Sequence, residues 1–240
     1  MDTEIFRLLN VGKARLNGPG YELVIPQLRI MAGETVAITG PSGCGKSTAL
    51  DILGMALQPD RAERFVLNVG GKPADVADCW SRGDQDSLAA LRLRHMGYVL
   101  QTGGLLPFLS ARDNMELTAR LNGVADACNR VEELAGSLGI ARLLESMPGQ
   151  LSVGERQRVA IIRALASGPA VILADEPTAA LDPYHAGTVL DMFLQAVSDL
   201  GVTLIMVTHD QDTVRNRGLK ELKIHIVPDN NGASRAVLEA

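Results

Sequence analysis

Four short apolar runs punctuate the chain, at Glu34–Thr39, Gly97–Leu100, Ala170–Ala174 and Thr203–Thr208. Each is rich in Val, Ile or Leu and of strand length, the composition of strands buried in a parallel sheet. Each is followed at once by polar residues able to do chemistry. Ligands of open α/β sheets gather beyond the carboxyl ends of the strands, so the four runs predict one shared site. Ahead of them, Tyr21–Ile25 and Gln27–Ile30, separated by Pro26, predict short antiparallel strands. Residues 104–167 change period. Helical spacing appears in Asp113–Leu121, Asn129–Leu138 and Val153–Ala166, with breaks at Asn122-Gly123 and Met147-Pro148-Gly149. This predicts a helical insert between two parts of the sheet. Residues 58–90 carry little pattern, and Asp60–Arg64 and Ser81–Ser87 are expected to be loops.

The chain has 240 residues with 46% hydrophobic residues, enough for one large domain with a buried core. The net charge of −5 and an aromatic content of 3% argue against a nucleic-acid partner, which calls for positive charge or stacking platforms. Cys44, Cys79 and Cys128 fit no compact metal site and are expected to be free thiols in a reducing compartment. No apolar run approaches the ~20 residues of a spanning helix. Met1-Asp2-Thr3-Glu4 is acidic and lacks a signal peptide's basic and apolar regions. The expectation is a cytoplasmic chain that reaches any membrane through a partner.

The first run leads into Gly40-Pro41-Ser42-Gly43-Cys44-Gly45-Lys46-Ser47-Thr48, which matches the P-loop pattern GxxxxGK[ST] in full. Glycines let the backbone turn so that successive N–H groups face phosphate oxygens. A helix beginning near Lys46 adds its positive dipole end. Lys46 supplies charge for the β- and γ-phosphates, and Ser47 a hydroxyl for Mg²⁺. The run Val171–Ala174 ends in Asp175-Glu176. Asp175 is suited to bind Mg²⁺ and Glu176 to polarise the attacking water as general base.

Between these lies Leu151-Ser152-Val153-Gly154-Glu155-Arg156-Gln157-Arg158, with Ser152 placed 23 residues before Asp175. Here the chain resembles the ABC ATPase family, whose signature motif this segment matches. Gln101 resembles the Q-loop glutamine, Ala180-Leu181-Asp182 the D-loop and His209 the switch histidine. Six motifs in the expected order cover about residues 30–210. The resemblance implies an α/β P-loop NTPase (RecA-like) fold: a mixed sheet core, an N-terminal antiparallel β subdomain and an inserted α-helical subdomain. Residues 1–103 and 167–240 would form the nucleotide-binding core and 104–166 the helical subdomain. It also implies catalytic roles for Glu176, His209 and Gln101, with Gln101 sensing Mg²⁺ or the lytic water. Ser152 and Gly154 would contact ATP held by the P-loop of a second copy, and Asp182 would lie at the dimer seam.

The usual adenine-stacking aromatic is missing from Val11–Asn17, where Arg15 is the substitute offered. The 106 positions between Lys46 and Ser152 leave no room for the long coiled coil of chromosome-maintenance relatives, and no NKxD motif points to a GTPase. The segments Arg94–Gln101 and Leu105–Asn114 are similar to the lipoprotein-release and macrolide-export branch and to the related cell-division cassette. The resemblance then implies an ATP-hydrolysing homodimer on the inner face of the cell membrane. Leu106, Pro107, Phe108 and Leu109 would receive a coupling helix of an integral-membrane permease. Whether that complex moves a cargo or does signalling or mechanical work stays open in the sequence.

Overall fold

The computed structural model describes residues 4–14, 21–228 and 234–239. Packing divides the chain into two compact units, Met1–Ala90 with Ile205–Ala240, and Leu91–Leu204.

The first unit is a mixed sheet. Its strands are β1 (Glu4–Ala14), β2 (Tyr21–Met31), β3 (Thr35–Thr39), β4 (Arg64–Val69) and β5 (Lys72–Asp75), with late strands β9 (Lys220–Pro228) and β10 (Ser234–Glu239). They lie in the order β5-β4-β1-β2-β10-β9-β3. The pairs β1–β2, β1–β4 and β9–β10 are antiparallel, whereas β10–β2 and β9–β3 are parallel. Phe6 of β1 faces Leu67, and Leu8 faces Phe65. The Phe6 and Phe65 rings stand 6.3 Å apart at 48°, a tilted pair that fills the core beneath these strands. Helix α1 (Lys46–Leu53) follows β3, the short α2 (Val76–Ser81) follows β5, and α3 (Gln85–His95) carries the chain into the second unit.

In the second unit β6 (Met96–Val99) runs parallel to β7 (Val171–Asp175) in the register Val99↔Ala174. Helices α4 (Ala111–Leu121), α5 (Ala127–Ser137), α6 (Val153–Ala166) and α7 (Pro183–Asp199) complete it. Helix α6 is the most deeply set, with Val159, Ile161, Ile162 and Leu165 wholly buried. From Val159 to Ala166 every residue but Arg163 is buried, so this half of the helix is packed on nearly all sides. β6 lies so close to it that a Cβ on Gly97 would fall 2.5 Å from the Ala164 carbonyl oxygen. β8 (Thr203–Val207) begins in the second unit and ends in the first, where α8 (Gln211–Asn216) follows.

The three expected helices of the insert are α4, α5 and α6, and the four apolar runs are β3, β6, β7 and β8. Two expectations need correction. Pro26 does not divide two strands: β2 runs through it. Leu9↔Gln27 and Val11↔Ile25 pair on either side, leaving Asn10 opposite Pro26 with φ 48°. The exposed proline has no N–H to offer, and the partner strand bends there instead. The expected N-terminal antiparallel strands are β1 and β2, and β10 and β9 continue them into β3 within one sheet. Within 58–90, Asp60–Glu63 lies outside the named helices and strands, as expected, but Ser81–Ser87 is not a loop. Phe65, Leu67 and Val69 alternate inward along β4, Asp75 caps α2 by accepting from the Asp78 N–H, and Ser81–Ser87 contains the end of α2 and the start of α3. The packing boundaries near 90 and 204 also differ from the motif-based cut at 104–166. One division follows compactness and the other follows chemistry.

Two glycines test this packing against each other. Gly97→Ala is expected to lower the free energy of unfolding by about 1–3 kcal/mol through overpacking against a backbone carbonyl. Gly136→Ala, within α5 and with open space around it, is expected to add about 0.5–1 kcal/mol. Urea unfolding monitored by circular dichroism reads both.

Candidate functional site

In the first unit, β3 is buried from Val36 onward and delivers the chain into the loop Gly40–Gly45. Gly40, Gly43 and Gly45 have φ of 152°, 74° and 97°, all in the region that disfavours a side chain. At Gly40 a Cβ would also meet Cys44 Sγ at 2.8 Å and the Ile224 carbonyl oxygen at 3.0 Å. The Cys44 N–H donates to the Pro41 carbonyl at 3.3 Å and closes the turn. Gly45 then starts α1 with no side-chain cap, so the first-turn N–H groups at Ser47 and Thr48 face outward from the helix end. Lys46 is only 7% exposed. Its ammonium donates to the carbonyls of Gly40 and Pro41, each at 3.0 Å, and so braces the loop it serves.

Cys44 is buried, and burial pushes its thiol above the usual range against the opposing pull of Lys46. It is a packed neutral thiol rather than a nucleophile. Cys79 is a buried free thiol and Cys128 an exposed one.

Thr208 N–H donates to the Ile38 carbonyl at 3.2 Å, which sets the end of β8 beside the end of β3. His209 therefore emerges next to the start of the Gly40 loop, and it is exposed. Asp210 fixes the turn beyond it. Its carboxylate accepts from Thr213 N–H at 2.9 Å and Thr213 Oγ1 at 2.5 Å, and those bonds, the hydroxyl's first, hold its pKa below the usual carboxylate range. Thr39, wholly buried, donates from Oγ1 to Glu221 on β9 at 2.5 Å.

In the second unit the register of β6 and β7 puts Asp175 at the end of β7 and Gln101 just beyond the same end of the adjacent parallel strand β6. Glu176 follows with φ 44°, one of three non-glycine residues with positive φ among the described residues. Strain of this kind, of order 1–3 kcal/mol, collects at functional positions. The turn is fastened by Ala179 N–H to the Glu176 carbonyl at 3.1 Å. Gln101 itself is exposed, but the turn that carries it is gripped from α6. Gln157, 3% exposed, donates to the Leu100 carbonyl at 3.2 Å, and Arg163 donates to the carbonyls of Gly103 and Gly104 at 2.8 Å each. Burial lowers the Arg163 pKa from its very high ordinary value.

The other end of α6 carries the signature residues. Ser152 is its N-cap, in a reciprocal box: Glu155 N–H donates to Ser152 Oγ at 3.3 Å, and Ser152 N–H donates to the Glu155 carboxylate at 2.8 Å. The bond from the Ser152 backbone, followed by the Ser152 side chain, holds the Glu155 pKa low. Leu181 Cδ2 lies 3.6 Å from the place of a Cβ on Gly154, an ordinary contact. Among the described residues nothing demands glycine there. Asp182 caps α7 through the His185 N–H at 3.2 Å and contacts His185 Nδ1 at 2.7 Å. That histidine contact leads the bonds that depress its pKa.

Downstream of Gln101, the loop at 104–110 folds around Asn114, which is wholly buried. Leu106 N–H donates to its Oδ1 at 2.8 Å, and its Nδ2 donates to the carbonyls of Leu106, Leu109 and Ser110. Leu106 and Leu109 are half-buried, Pro107 is exposed, and Phe108 projects with 72% of its surface exposed.

The P-loop residues and His209 are thus gathered in the first unit, and Gln101, Asp175, Glu176, Ser152, Gly154 and Asp182 in the second. Asn114, Gln157, Arg163, Glu221 and Asp210 belong to the site's framework and went unread in the sequence. Four of the six buried polar residues among those described, Thr39, Lys46, Asn114 and Gln157, belong to this framework, the others being Glu116 and Thr203. Arg15 lies outside the described residues.

The profile of the ABC transporter family matches residues 25–179, more than half of the chain. The chain belongs to the ABC transporter family. It is 46% identical over 187 residues to "Lipoprotein-releasing system ATP-binding protein LolD" of Paramagnetospirillum magneticum, covering 77% of this chain and 79% of that protein. It is 46% identical over 185 residues to "Macrolide export ATP-binding/permease protein MacB" of Photorhabdus laumondii, covering 76% of this chain but only 27% of the relative. The match thus spans about a quarter of that longer protein. Among solved structures, the dimeric ATP-binding cassette MJ0796 in a post-hydrolysis state with ADP and Pi superimposes with a TM-score of 0.72. The two are 32% identical, over 91% of this chain and 93% of that one. This chain is an ATP-hydrolysing cassette of the LolD/MacB branch, with the α/β P-loop fold of these neighbours. Among its described residues, no helix of this ABC cassette is long and apolar enough to cross a membrane.

The steric freedom at Gly154 gives a prediction. Gly154→Ala is expected to leave thermal stability unchanged or raise it by up to ~1 kcal/mol, because alanine is the better helix former. The same variant is expected to lose most ATP turnover. Calorimetry and a phosphate-release assay separate the two effects. Glu155→Ala is expected to cost about 1 kcal/mol at neutral pH by removing half of the capping box. The Glu155 pKa is depressed by folding. Its contribution is therefore present above the ordinary glutamate range and lost as pH falls through the lowered folded value. Unfolding curves of wild type and variant should converge in strong acid.

Proposed function

We propose that two copies of this chain close head-to-tail on two ATP molecules, hydrolyse them, and drive a separate integral-membrane permease of the export or lipoprotein-release type. The observation that carries the reading is the pair of half-sites. The glycine-bent Gly40–Gly45 loop ends in an uncapped helix start beside Lys46, while Ser152 and Gly154 form another helix start whose glycine no described neighbour in the same chain requires.

In this reading the N–H groups of Gly43, Cys44, Gly45, Lys46, Ser47 and Thr48 hold the phosphates of ATP, with Pro41 and Ser42 shaping the turn. Lys46 turns its ammonium from the loop carbonyls toward the β- and γ-phosphates. The Ser152 hydroxyl and the Gly154 N–H of the second copy meet the γ-phosphate from the opposite side. Glu176 takes a proton from water as the water oxygen attacks the γ-phosphorus. The bond from that phosphorus to the β–γ bridging oxygen breaks, giving ADP and phosphate. His209 donates to the γ-phosphate and steadies the water. Asp182 joins the two sites at the seam.

Ser47, Gln101 and Asp175 offer a hydroxyl, an amide oxygen and a carboxylate. These are hard oxygen donors that suit Mg²⁺, an ion that keeps water and takes few protein ligands beside substrate phosphates. Bound there, it would neutralise phosphate charge.

The turn holding Gln101 and the loop presenting Phe108 are consecutive, and α6 grips the first of them. In the proposal, movement of the signature helix on ATP closure is passed through Gln157 and Arg163 to the apolar tip at Leu106–Leu109, where the permease docks. The cassette then works at the cytoplasmic face of the membrane through that partner.

Glu176→Gln is expected to lower kcat about 10²–10⁴-fold while retaining ATP binding, and to accumulate as ATP-dependent dimers in size-exclusion chromatography with light scattering. Lys46→Ala is expected to lose nucleotide binding and dimerisation together. An ATP-loaded Glu176→Gln protein that stays monomeric overturns the head-to-tail scheme.

A further inference from the structure

Away from these residues, α5 and α7 leave an open groove of about 560 Å³ between them, within the second unit. Its floor is apolar, formed by Leu134, Met192, Ala196 and Leu200. Leu134 and Ala196 are buried, but Leu200 keeps 42% of its surface exposed. Its charged lining residues are Glu133, Asp191, Asp199 and Arg130, three carboxylates to one guanidinium, with Asp199 also accepting from Gln195 Nε2 at 2.6 Å. The lining positions recur at helical spacing on both helices, so each wall is one face of a helix. Facing ridges with an open seam between them are what a third helix fills.

Charge decides the sign of the occupant. Three carboxylates to one cation exclude an anionic lipid surface or nucleic acid and favour a basic partner. Spacing decides its form. Asp191 and Asp199 lie on one side of the groove eight residues apart on α7, about 12 Å along the axis. A small organic cation reaches one of them, whereas a helix with basic residues two turns apart reaches both.

We propose that this groove docks a short, basic amphipathic helix of a partner protein, with its apolar stripe on Leu134, Met192, Ala196 and Leu200 and its Lys or Arg residues against Asp191 and Asp199. The site is separate from the signature and P-loop residues, and it stands whether or not the head-to-tail scheme holds.

The test is fluorescence anisotropy of labelled synthetic peptides of about four helical turns, titrated with the full chain. One peptide carries a leucine stripe with lysines two turns apart, a second replaces those lysines by glutamates, and a third places them one turn apart. The first is expected to bind at roughly micromolar Kd, with the other two weaker and the interaction eroded by salt. Asp191→Lys combined with Asp199→Lys is expected to weaken it about tenfold or more. Leu200→Arg and Glu133→Lys, both at exposed positions, supply the same readout if the double variant does not fold by circular dichroism. Absence of binding by the first peptide overturns the proposal. So does equal binding of the lysine and glutamate peptides, or a Kd that these variants leave unchanged. Displacement of the peptide by an equal concentration of decyltrimethylammonium overturns the helical form of the occupant.

Discussion

The hydrogen bonds from Gln157 and Arg163 to the backbone turn at Leu100–Gly104 are the constraint on which the second unit's chemistry depends. A turn beyond a strand end has carbonyls that must find donors or water. Here the donors come from the middle of α6, and one of them, Gln157, is almost wholly buried. Buried polar bonds cost more to break than they contribute when formed, because the orphaned group keeps its desolvation penalty. The turn that carries Gln101 therefore follows α6 rather than drifting independently of it. The same helix bears Ser152 at its start and presses on Gly97 of β6 near its end. One rigid element thus connects the helix terminus at Ser152, the turn that carries Gln101 and the strand beside Asp175-Glu176.

The first unit solves a different problem with the same economy of means. A buried lysine must be paired or solvated, and Lys46 is held by two carbonyls of the loop it completes. In the proposed reaction, exchange of those carbonyls for phosphate oxygens would replace neutral acceptors with charged ones, which bond an ammonium more strongly. Around the loop, Thr39 is tied to Glu221, and His209 is set by the pairing of Thr208 with Ile38 and by the capped turn at Asp210. The backbone conformations at Gly40, Gly43 and Gly45 are the price of letting amide groups converge, and only glycine accepts them without steric penalty.

Not every unusual backbone position has a functional account. Glu176 with φ 44° sits where general-base chemistry is proposed, and Asn10 with φ 48° accommodates Pro26 across the pair. Met55, wholly buried with φ 56°, follows α1 just after its Gly54 cap, and nothing in the structure ties it to the site.

The residues that touch phosphate, metal or water in the proposed reaction were legible in the sequence, because each sits in a contiguous motif whose spacing the chemistry imposes. The same holds for β3, β6, β7, β8 and the helices α4 to α6, where a period of hydrophobic burial repeats within a few residues. The strands β4, β5, β9 and β10 were not legible. β4 reveals its inward face only when Phe65 and Leu67 meet Leu8 and Phe6, and β10 pairs with β2, more than two hundred positions earlier. Asn114, Gln157, Arg163 and Glu221 look like ordinary polar residues until folding buries or partners them. Local sequence determined the chemical groups and the elements that carry them. Tertiary structure alone decided which backbone carbonyls those groups would satisfy, since a hydrogen-bond partner dozens of positions away leaves no periodic mark on either segment.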